Sequence, residues 1–582
     1  MDIDEIKGIP YGISNFEDLR ANNFYYVDKT MFLPTLERAA NFLFLIRPRR
    51  FGKSMFLSMM SAYYDIEKAD RFDSLFDGLW IKEYPTKDKN SYQVLYFDFS
   101  KAGFSVSGQD MMASFNAYCS IVINKFAEKY ASYYKPAFVE EIKNIPTAKD
   151  KLSYIAEEAK DTNYQLYLIV DEYDNFTNVI FSQDGVDALK LLTHASGFYR
   201  EYFKVFKAMF SRILMLGVSP ITLNELTSGY NIAMNISNDE RFNAMLGFSE
   251  TDVRHMIAYY QHHGLMNNDL EAMIADMKPW YDNYCFAEEC LKAPRMFNCD
   301  MTLYYLNNQL EFNRAPKEMA DVNIRTDYTK LKMLVKMDKQ SDRLSVIQEI
   351  ADKGYIDMRL VTSFPSEEIA NGDNFQSLLY YYGMLTITGV YRGRIRMGIP
   401  NNCVREQYYL YLLKYFDERK MMDMKRYSDL MVAFAYDGEW QDTLTFLAEK
   451  YKENSSVRDA IEGEHNISGF FKAYFSIMDY YLLCPEVEMN KGYCDFLLLP
   501  NKQRFDDVEH SYIIELKYSK KDAPESEIQA KYDEAVAQLH RYSEDKLARQ
   551  LTEGTTLHLI VLQFRGAELL KCEKINMASQ SR

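Results

Sequence analysis

A chain of 582 residues with 47% hydrophobic residues is long enough for two or three buried cores. Its formal net charge of −16 excludes a surface that is basic throughout, so any contact with DNA or RNA must be a local basic groove helped by metal ions. No apolar run approaches the roughly 18 residues of a membrane span, the acidic opening MDIDEIKGIPYG lacks a signal pattern, and the eight cysteines are scattered without paired C-x-x-C spacing, as free thiols in a reducing cytoplasm would be.

Residues 9–39 carry a helix start bracketed by Ser14 and Asp18, then Asp28-Lys29-Thr30 ahead of a second short helix. Phe42 to Ile46 is an apolar run that reads as a buried strand. Arg47-Pro48-Arg49-Arg50-Phe51 follows as a turn, then Gly52-Lys53-Ser54, then helical spacing of Phe56, Leu57, Met60 and Tyr63. Strand, loop, Gly-Lys-Ser and helix is the order of a phosphate-binding (Walker A) loop. Backbone N–H groups face the anion, Lys53 reaches the terminal phosphates and Ser54 takes a Mg2+ ion. Arg47 replaces the first glycine of G-x-x-x-x-G-K-[ST], which restricts the turn. The three arginines Arg47, Arg49 and Arg50 partly offset this, since guanidinium groups suit phosphate oxygens. The bland alternative is a chance Gly-Lys-Ser on a basic loop.

Val94 to Ser100 reads as a second strand, ending in Asp98 and Ser100, and residues 109–160 as amphipathic helices. An apolar strand from Tyr164 then runs straight into Asp171-Glu172 (a Walker B pattern). An Asp at a strand tip helps hold Mg2+ in phosphate-loop enzymes, and the adjacent Glu172 can polarise the attacking water. A solvated acidic loop is the alternative. Arg212 to Ser219 is a further strand, with Ser219 and Thr222 as candidates to lie near the terminal phosphate. Strands alternating with helices give a parallel sheet with the ligand at the strands' C-terminal ends.

These motifs, together with Ile9-Pro10-Tyr11-Gly12, Tyr26-Val27-Asp28-Lys29-Thr30, Asp171-Glu172-Tyr173-Asp174 and Gly217-Val218-Ser219-Pro220, resemble the AAA-ATPase-like family of bacterial genomes. The likeness covers about the first 250 residues, and the arginine-rich loop without its first glycine is similar to the family's own pattern. It implies ATP binding with slow or regulated hydrolysis, and a nuclease-like domain as the usual C-terminal companion. Arg200, Arg212 and Arg241 are candidates for an arginine finger, with nothing in the sequence to choose among them.

From Phe248 to about Phe312 the chain reads as a helical lid, with His262-His263 as a polar helix end and Trp280 to Tyr284 similar to a family motif. Residues 313–460 read as mostly helical connectors, and Ile324-Arg325-Thr326-Asp327 again fits the family. Within them, 375–401 reads as a helix and two short strands. Arg392, Arg394 and Arg396 alternate and so share one strand face; a solvated edge is the bland reading and a nucleic-acid contact the sharp one.

The C-terminal part holds a second constellation. A helix from about Asp459 to Tyr481 contains Glu464; strands follow over Leu482–Met489 (with Glu486 and Glu488), Gly492–Leu499 (with Asp495) and Ser511–Tyr518 (with Glu515 and Lys517). A helix over Glu525–Tyr542 carries Gln538, and a strand over Leu557–Phe564 closes the set. Asp495, Glu515 and Lys517 inside apolar strands are costly to bury without partners. Two converging carboxylates repel unless a divalent cation sits between them, and a lysine beside that cation can orient or deprotonate a water. A salt bridge in a catalytically dead fold is the alternative.

The order of elements, with Asp and then Glu-x-Lys, resembles the PD-(D/E)XK nuclease superfamily over about residues 460–566. By position it implies Glu464 as the helix acid, Asp495 and Glu515 as metal ligands, Lys517 as catalytic lysine and Gln538 as the motif residue on the following helix. The expectation is an α/β protein. It has a P-loop parallel-sheet ATPase domain (1–247), a helical lid and connector (248–374), a linker with short strands and helices (375–459) and a restriction-endonuclease-like domain (460–582). ATP and Mg2+ would serve Arg49, Arg50, Phe51, Gly52, Lys53, Ser54, Asp171, Glu172 and Ser219. Mg2+ or Mn2+ would serve the second site. The expected partner is nucleic acid, DNA ahead of RNA, with no membrane and a homo-oligomer left open. The reading from another class is a nucleotide-switched binding protein whose nuclease fold does not cleave.

Overall fold

A computed structural model of the chain describes residues 6–102, 108–160, 162, 164–175, 205–220, 233–321, 342–364, 368, 372–417, 422–455, 463–484, 488–489 and 492–576. The chain forms two compact units. One comprises Met1–Pro316, Met333–Lys339 and Asp357–Asn401; the other comprises Lys317–Lys332, Gln340–Ile356 and Asn402–Arg582. Among the described residues no helix is long and apolar enough to cross a membrane.

The first unit is built on β1 (Phe42–Ile46), α1 (Lys53–Tyr64), β2 (Tyr92–Asp98), α2 (Gly108–Lys129), β3 (Gln165–Asp171), β4 (Arg212–Gly217) and β5 (Met234–Asn235). The strands lie in the order β2-β3-β4-β1-β5, every neighbouring pair parallel. A parallel sheet covered on both faces needs continuous apolar runs rather than alternation, and Leu43 to Ile46 and Leu166 to Val170 are buried throughout. The edge strand β2 is blocked by tyrosines: the amides of Val94 and Asp98 donate to the hydroxyls of Tyr130 and Tyr118, each at 2.9 Å. Such capping keeps an exposed ladder from pairing with another chain.

The order of the strands decides what meets at the C-terminal end of the sheet. β4 is inserted between β1 and β3, so its tip separates the loop after β1 from the acids after β3. The approach is close at Gly217: a Cβ there would lie 2.4 Å from the Tyr173 ring and 2.6 Å from the Asp174 carboxylate.

The sequence reading needs adjustment at several ends. The first helix is capped by Asn15, whose side chain accepts from the Asp18 amide, and not by Ser14. The helix α3 (Glu250–His262) opens with a Ser249–Asp252 capping box and stops at His262–His263, as expected of that polar pair. The hairpin β6 (Thr386–Tyr391) and β7 (Arg394–Gly398) is antiparallel. Arg392 is not on its strand face: it forms the turn with Gly393, both at positive φ (49° and 77°).

The second unit holds α4 (Glu464–Phe475), β8 (Tyr481–Cys484), β9 (Phe496–Pro500), β10 (His510–Ser519), α5 (Glu525–Ser543), β11 (Thr556–Arg565) and β12 (Glu568–Ile575). The sheet order is β8-β9-β10-β11-β12, antiparallel except for β10 and β11. A parallel pair needs a crossover, and α5 supplies it. Ala535, Leu539 and Tyr542 of α5 pack with Leu497, Ile513 and Val561 of the sheet.

Here too the boundaries differ. Of the expected strand over 482–489, Tyr481–Cys484 pairs with β9, while Glu488–Met489 pairs separately with Gly492–Tyr493. Asp495 therefore stands in the gap before β9 and not within a strand. The set does not close at Phe564, because β12 adds an antiparallel edge strand. Its alternating Glu and Lys are characteristic of a protected edge and carry little apolar signal.

Replacing Gly217 with alanine would force the Tyr173 ring and the Asp174 carboxylate apart. Thermal unfolding of the first unit should move to lower temperature, at a cost of about 1–3 kcal/mol. An unchanged melting temperature would contradict this packing.

Candidate functional site

β1 delivers the chain into the loop 47–52 with two left-handed residues, Arg50 (φ 69°) and Gly52 (φ 80°). Gly52 is the N-cap of α1, so Lys53 and Ser54 occupy its first turn. The loop is clamped from outside. Phe51 is buried and meets Tyr284 and Phe286 edge-on, with centroids 4.8 and 5.5 Å apart. Arg50 pairs with Asp300 at 3.1 Å.

Arg47 does not face the loop's interior as a phosphate ligand. It is buried, donates to the carbonyls of Ile46, Ser237 and Phe242, and lies over the Phe286 ring at 4.1 Å. The residue in place of the first glycine is thus a structural bolt. Burial lowers its pKa, to about 10, which leaves it charged at neutral pH. Lys53 is also buried, and its ammonium donates to the carbonyls of Arg47 and Pro48 at 3.1 and 2.9 Å.

The acids after β3 face this lysine. Asp171 is buried, accepts from the Ser54 hydroxyl and from its neighbour's amide, and lies 3.4 Å from the Tyr96 hydroxyl. Desolvation raises its pKa against the lowering effect of Ser54 and Lys53. Glu172 takes a left-handed backbone (φ 49°), which non-glycine residues adopt at a cost of about 1–2 kcal/mol. Burial raises its pKa, while Lys53 and then Arg49 lower it.

Two residues that pattern reading left without a role hold the third wall. The Asp174 carboxylate accepts the amides of Val218 and Ser219, and the Tyr173 hydroxyl donates to the Ser219 carbonyl at 2.6 Å. Ser219 is fully buried and bonded by the Tyr382 hydroxyl. The structure thus brings Lys53, Ser54, Asp171 and Glu172 together and ties the Ser219 tip to the same strand as the acids. Arg212 is set apart: it begins β4, at the opposite end of the sheet, and pairs with Asp88 at 3.0 Å. Arg241 pairs with Asp239. Thr222, Arg200, Ile324 to Asp327 and Glu486 lie outside the described residues.

In the second unit β10 places Ile513, Glu515 and Lys517 on the face covered by α5. Lys517 Nζ donates to Glu515 Oε1 at 3.0 Å, and both side chains are largely buried. Glu515 Oε2 is buried with no hydrogen-bond partner. Asp495 reaches the same strand from the gap before β9, accepting the Leu516 amide at 2.7 Å. Gln538 lies between Ala535 and Tyr542 on the inner face of α5, and its Oε1 is likewise buried without a partner. Glu464 opens α4, and its charge is felt at Asp495 while Lys517 is felt at Glu464.

Burial pushes the carboxyls of Asp495 and Glu515 up; the Leu516 amide works against this at Asp495, and the Asp495 charge adds to it at Glu515. Lys517 is raised: desolvation opposes the shift and the Glu515 charge outweighs it. Among the described residues no three His, Cys, Asp or Glu side chains gather closely enough to hold a metal by themselves. Two carboxylates with an orphaned buried oxygen still fit Mg2+, which commonly binds through one or two carboxylates and keeps several waters.

Sequence reasoning overlooked a neighbouring cluster on α4. Lys472 is fully buried, and it donates to the side chain and the backbone carbonyl of Asp352, whose carboxylate also accepts from Ser468 and pairs with His465. Burial raises the Asp352 pKa, but Lys472 and these bonds overcome it and hold the carboxyl well below the usual range. A lysine on the apolar face of a helix was the available signal.

The raised Asp495 pKa has a consequence for stability. The folded chain holds a proton that the unfolded chain has released, so this contribution is fully present below about pH 4 and is lost as pH rises toward neutral and beyond. Asp495→Asn keeps an oxygen for the Leu516 amide and removes the titration. Without metal, the variant should melt at higher temperature than the wild type near pH 8 and at the same temperature near pH 4. An equal difference at both would contradict the burial argument.

Comparisons with known proteins agree with this division. Residues 10–227 match the AAA-ATPase-like family, described as predicted AAA-ATPase, and residues 462–574 match the PD-(D/E)XK nuclease superfamily. The chain is 27% identical over 308 residues to an uncharacterized protein in the vnfD 5′ region of Azotobacter chroococcum mcd 1. The match covers 50% of each chain, so this chain spans about half the length of that relative. A solved structure of the Aeropyrum pernix ORC1 protein in complex with DNA aligns at 10% identity over 65% of this chain and 89% of that one, with a TM-score of 0.25. The chain carries a predicted AAA-ATPase domain on its N-terminal side and a PD-(D/E)XK nuclease superfamily domain over residues 462–574.

Proposed function

We propose that the first unit binds and slowly hydrolyses ATP with Mg2+, and that its nucleotide state gates cleavage of nucleic-acid phosphodiesters by the second. The observation that carries this reading is Glu515 Oε2, a buried carboxylate oxygen without a partner beside Asp495 and Lys517. The salt bridge to Lys517 does not answer that oxygen, and a proton or a bound cation would.

In the first unit, Ser54 and Asp171, already bonded to each other, are the residues to hold Mg2+. Lys53 would exchange the carbonyls of Arg47 and Pro48 for phosphate oxygens, and Arg49 and Arg50 would add charge. The exchange gives up two buried hydrogen bonds within the loop, a cost that the new contacts to phosphate would have to offset. Glu172 would orient the water, its strained backbone serving the site and not the fold.

In the second unit, Asp495 and Glu515 would hold Mg2+ or Mn2+, which supplies charge neutralisation and a more acidic water. Lys517 orients the nucleophile and balances the charge of Glu515. Gln538 offers a buried acceptor to a water or to substrate, and Glu464 sets the local field at the mouth of α4. The substrate is DNA ahead of RNA, and the free thiols of the eight cysteines accord with a cytoplasmic setting. A second reading, a nucleotide-switched binding protein without cleavage, draws on the Lys517–Glu515 pair itself, which a dead fold would also keep.

Labelled single- and double-stranded DNA and RNA, incubated with Mg2+ or Mn2+ and with or without ATP, separate these readings. Cleavage should fall at least about 100-fold in Lys517→Ala, and the effect of ATP on cleavage should vanish in Lys53→Ala. No cleavage of any substrate while ATP binding persists would favour the switched binding protein.

A further inference from the structure

The hairpin β6–β7 is a basic and aromatic projection on a chain of formal net charge −16. At its tip Val390 and Tyr391 are 53% and 45% exposed, and Arg392, Gly393 and Arg394 are exposed with them. Tyr391 ends its strand exposed and outside the core. Tyr391 is instead held by guanidinium groups, with Arg392 and Arg396 centred 5.2 and 5.0 Å from its ring.

The three arginines have different tasks. Arg396 is anchored: it makes a bidentate pair with Asp357 at 2.7 and 2.8 Å, which fixes the base of the tip. Arg392 and Arg394 have no carboxylate partner among the described residues. Two guanidinium groups thus stand beside an exposed ring with no carboxylate against them among the described residues, on a chain that carries an excess of acids.

The backbone adds an independent observation. A two-residue turn with positive φ at both positions favours Asn, Asp or Gly at the first, and here the first is Arg392 at φ 49°. A long cationic side chain is held against the preference of its own backbone, a mark of a side chain used for something other than the turn. The shift in register between Arg396 and Met397 twists the hairpin at its base.

We propose that the tip of this hairpin is a nucleic-acid contact, with Arg392 and Arg394 on backbone phosphates and Tyr391 against a sugar or base. Guanidinium groups match phosphate oxygens in geometry and charge, and an exposed aromatic beside them is the usual companion for bases. The contact rests on the reading that this chain acts on nucleic acid, and it names where, outside the cleavage site, the strand is gripped.

The test is fluorescence anisotropy of the full chain with labelled duplex DNA, single-stranded DNA and RNA of one sequence. Chelator replaces metal so that nothing is cut. Arg392→Gly suits the turn better than arginine, so its melting temperature should not fall, while its affinity for nucleic acid should. Arg392→Ala with Arg394→Ala should lose about tenfold in affinity and flatten the dependence of log affinity on log salt by about 1–2. ATP binding should be unchanged in both. Wild-type binding left intact in both variants would overturn the hairpin contact while leaving the nuclease reading standing, and Lys517→Ala in the cleavage assay tests that reading separately. Equal displacement of the DNA by polyglutamate at matched charge would assign the tip to an acidic protein surface and overturn the proposal. No binding of any nucleic acid by the wild type would sink both readings.

Discussion

Two carboxylates and an ammonium gathered at one apolar sheet, Glu515 and Lys517 on β10 and Asp495 beside it, constrain the second unit more than any other feature. Glu515 is almost wholly buried, Asp495 stands next to it, and Lys517 can reach only one of the Glu515 oxygens. The net cost of such a group is large unless it is neutralised, either by a proton, as the raised pKa directions indicate, or by a cation. The surrounding fold is arranged to hold this cost in place. β9 and β10 are locked in register, α5 closes the face above, and the gap before β9 lets Asp495 turn inward to the Leu516 amide.

The first unit answers a similar constraint differently. Its buried lysine has partners in the loop itself, and its acids have Ser54 and backbone amides. Asp174 spends its carboxylate on two amides of the β4 tip, and Tyr173 and Tyr382 fasten the same tip. The insertion of β4 between β1 and β3 makes this fastening matter, because any shift of that tip changes the spacing between the phosphate loop and the acids. A nucleotide that draws Lys53 off the Arg47 and Pro48 carbonyls would act on a network packed too closely at Gly217 to admit even a methyl group.

Much of this was legible in the residues. Continuous apolar runs marked β1, β3 and β4, because strands of a covered parallel sheet need no polar face, and alternation placed Glu515 and Lys517 together. What escaped was set by contacts distant in sequence. Arg47 reads as a phosphate ligand by its neighbours, and only Ser237 and Phe242, some 190 residues on, reveal it as a bolt. Asp495 reads as a strand residue until the gap before β9 is seen. β12 is too polar and too exposed to announce itself, and Arg392 left its strand because the turn claimed it. The cluster of Asp352 with Lys472 joins residues 120 positions apart, beyond the reach of any local pattern.

In the proposed site, a divalent cation held by Asp495 and Glu515 would take the place of bound protons. Calorimetric titration of Mn2+ into the metal-free chain near pH 7.5, repeated in buffers of different ionisation enthalpy, addresses it directly. Saturable binding accompanied by proton release is expected, with both lost in Asp495→Ala. Binding that persists in that variant, or binding by the wild type with no proton release, would contradict it.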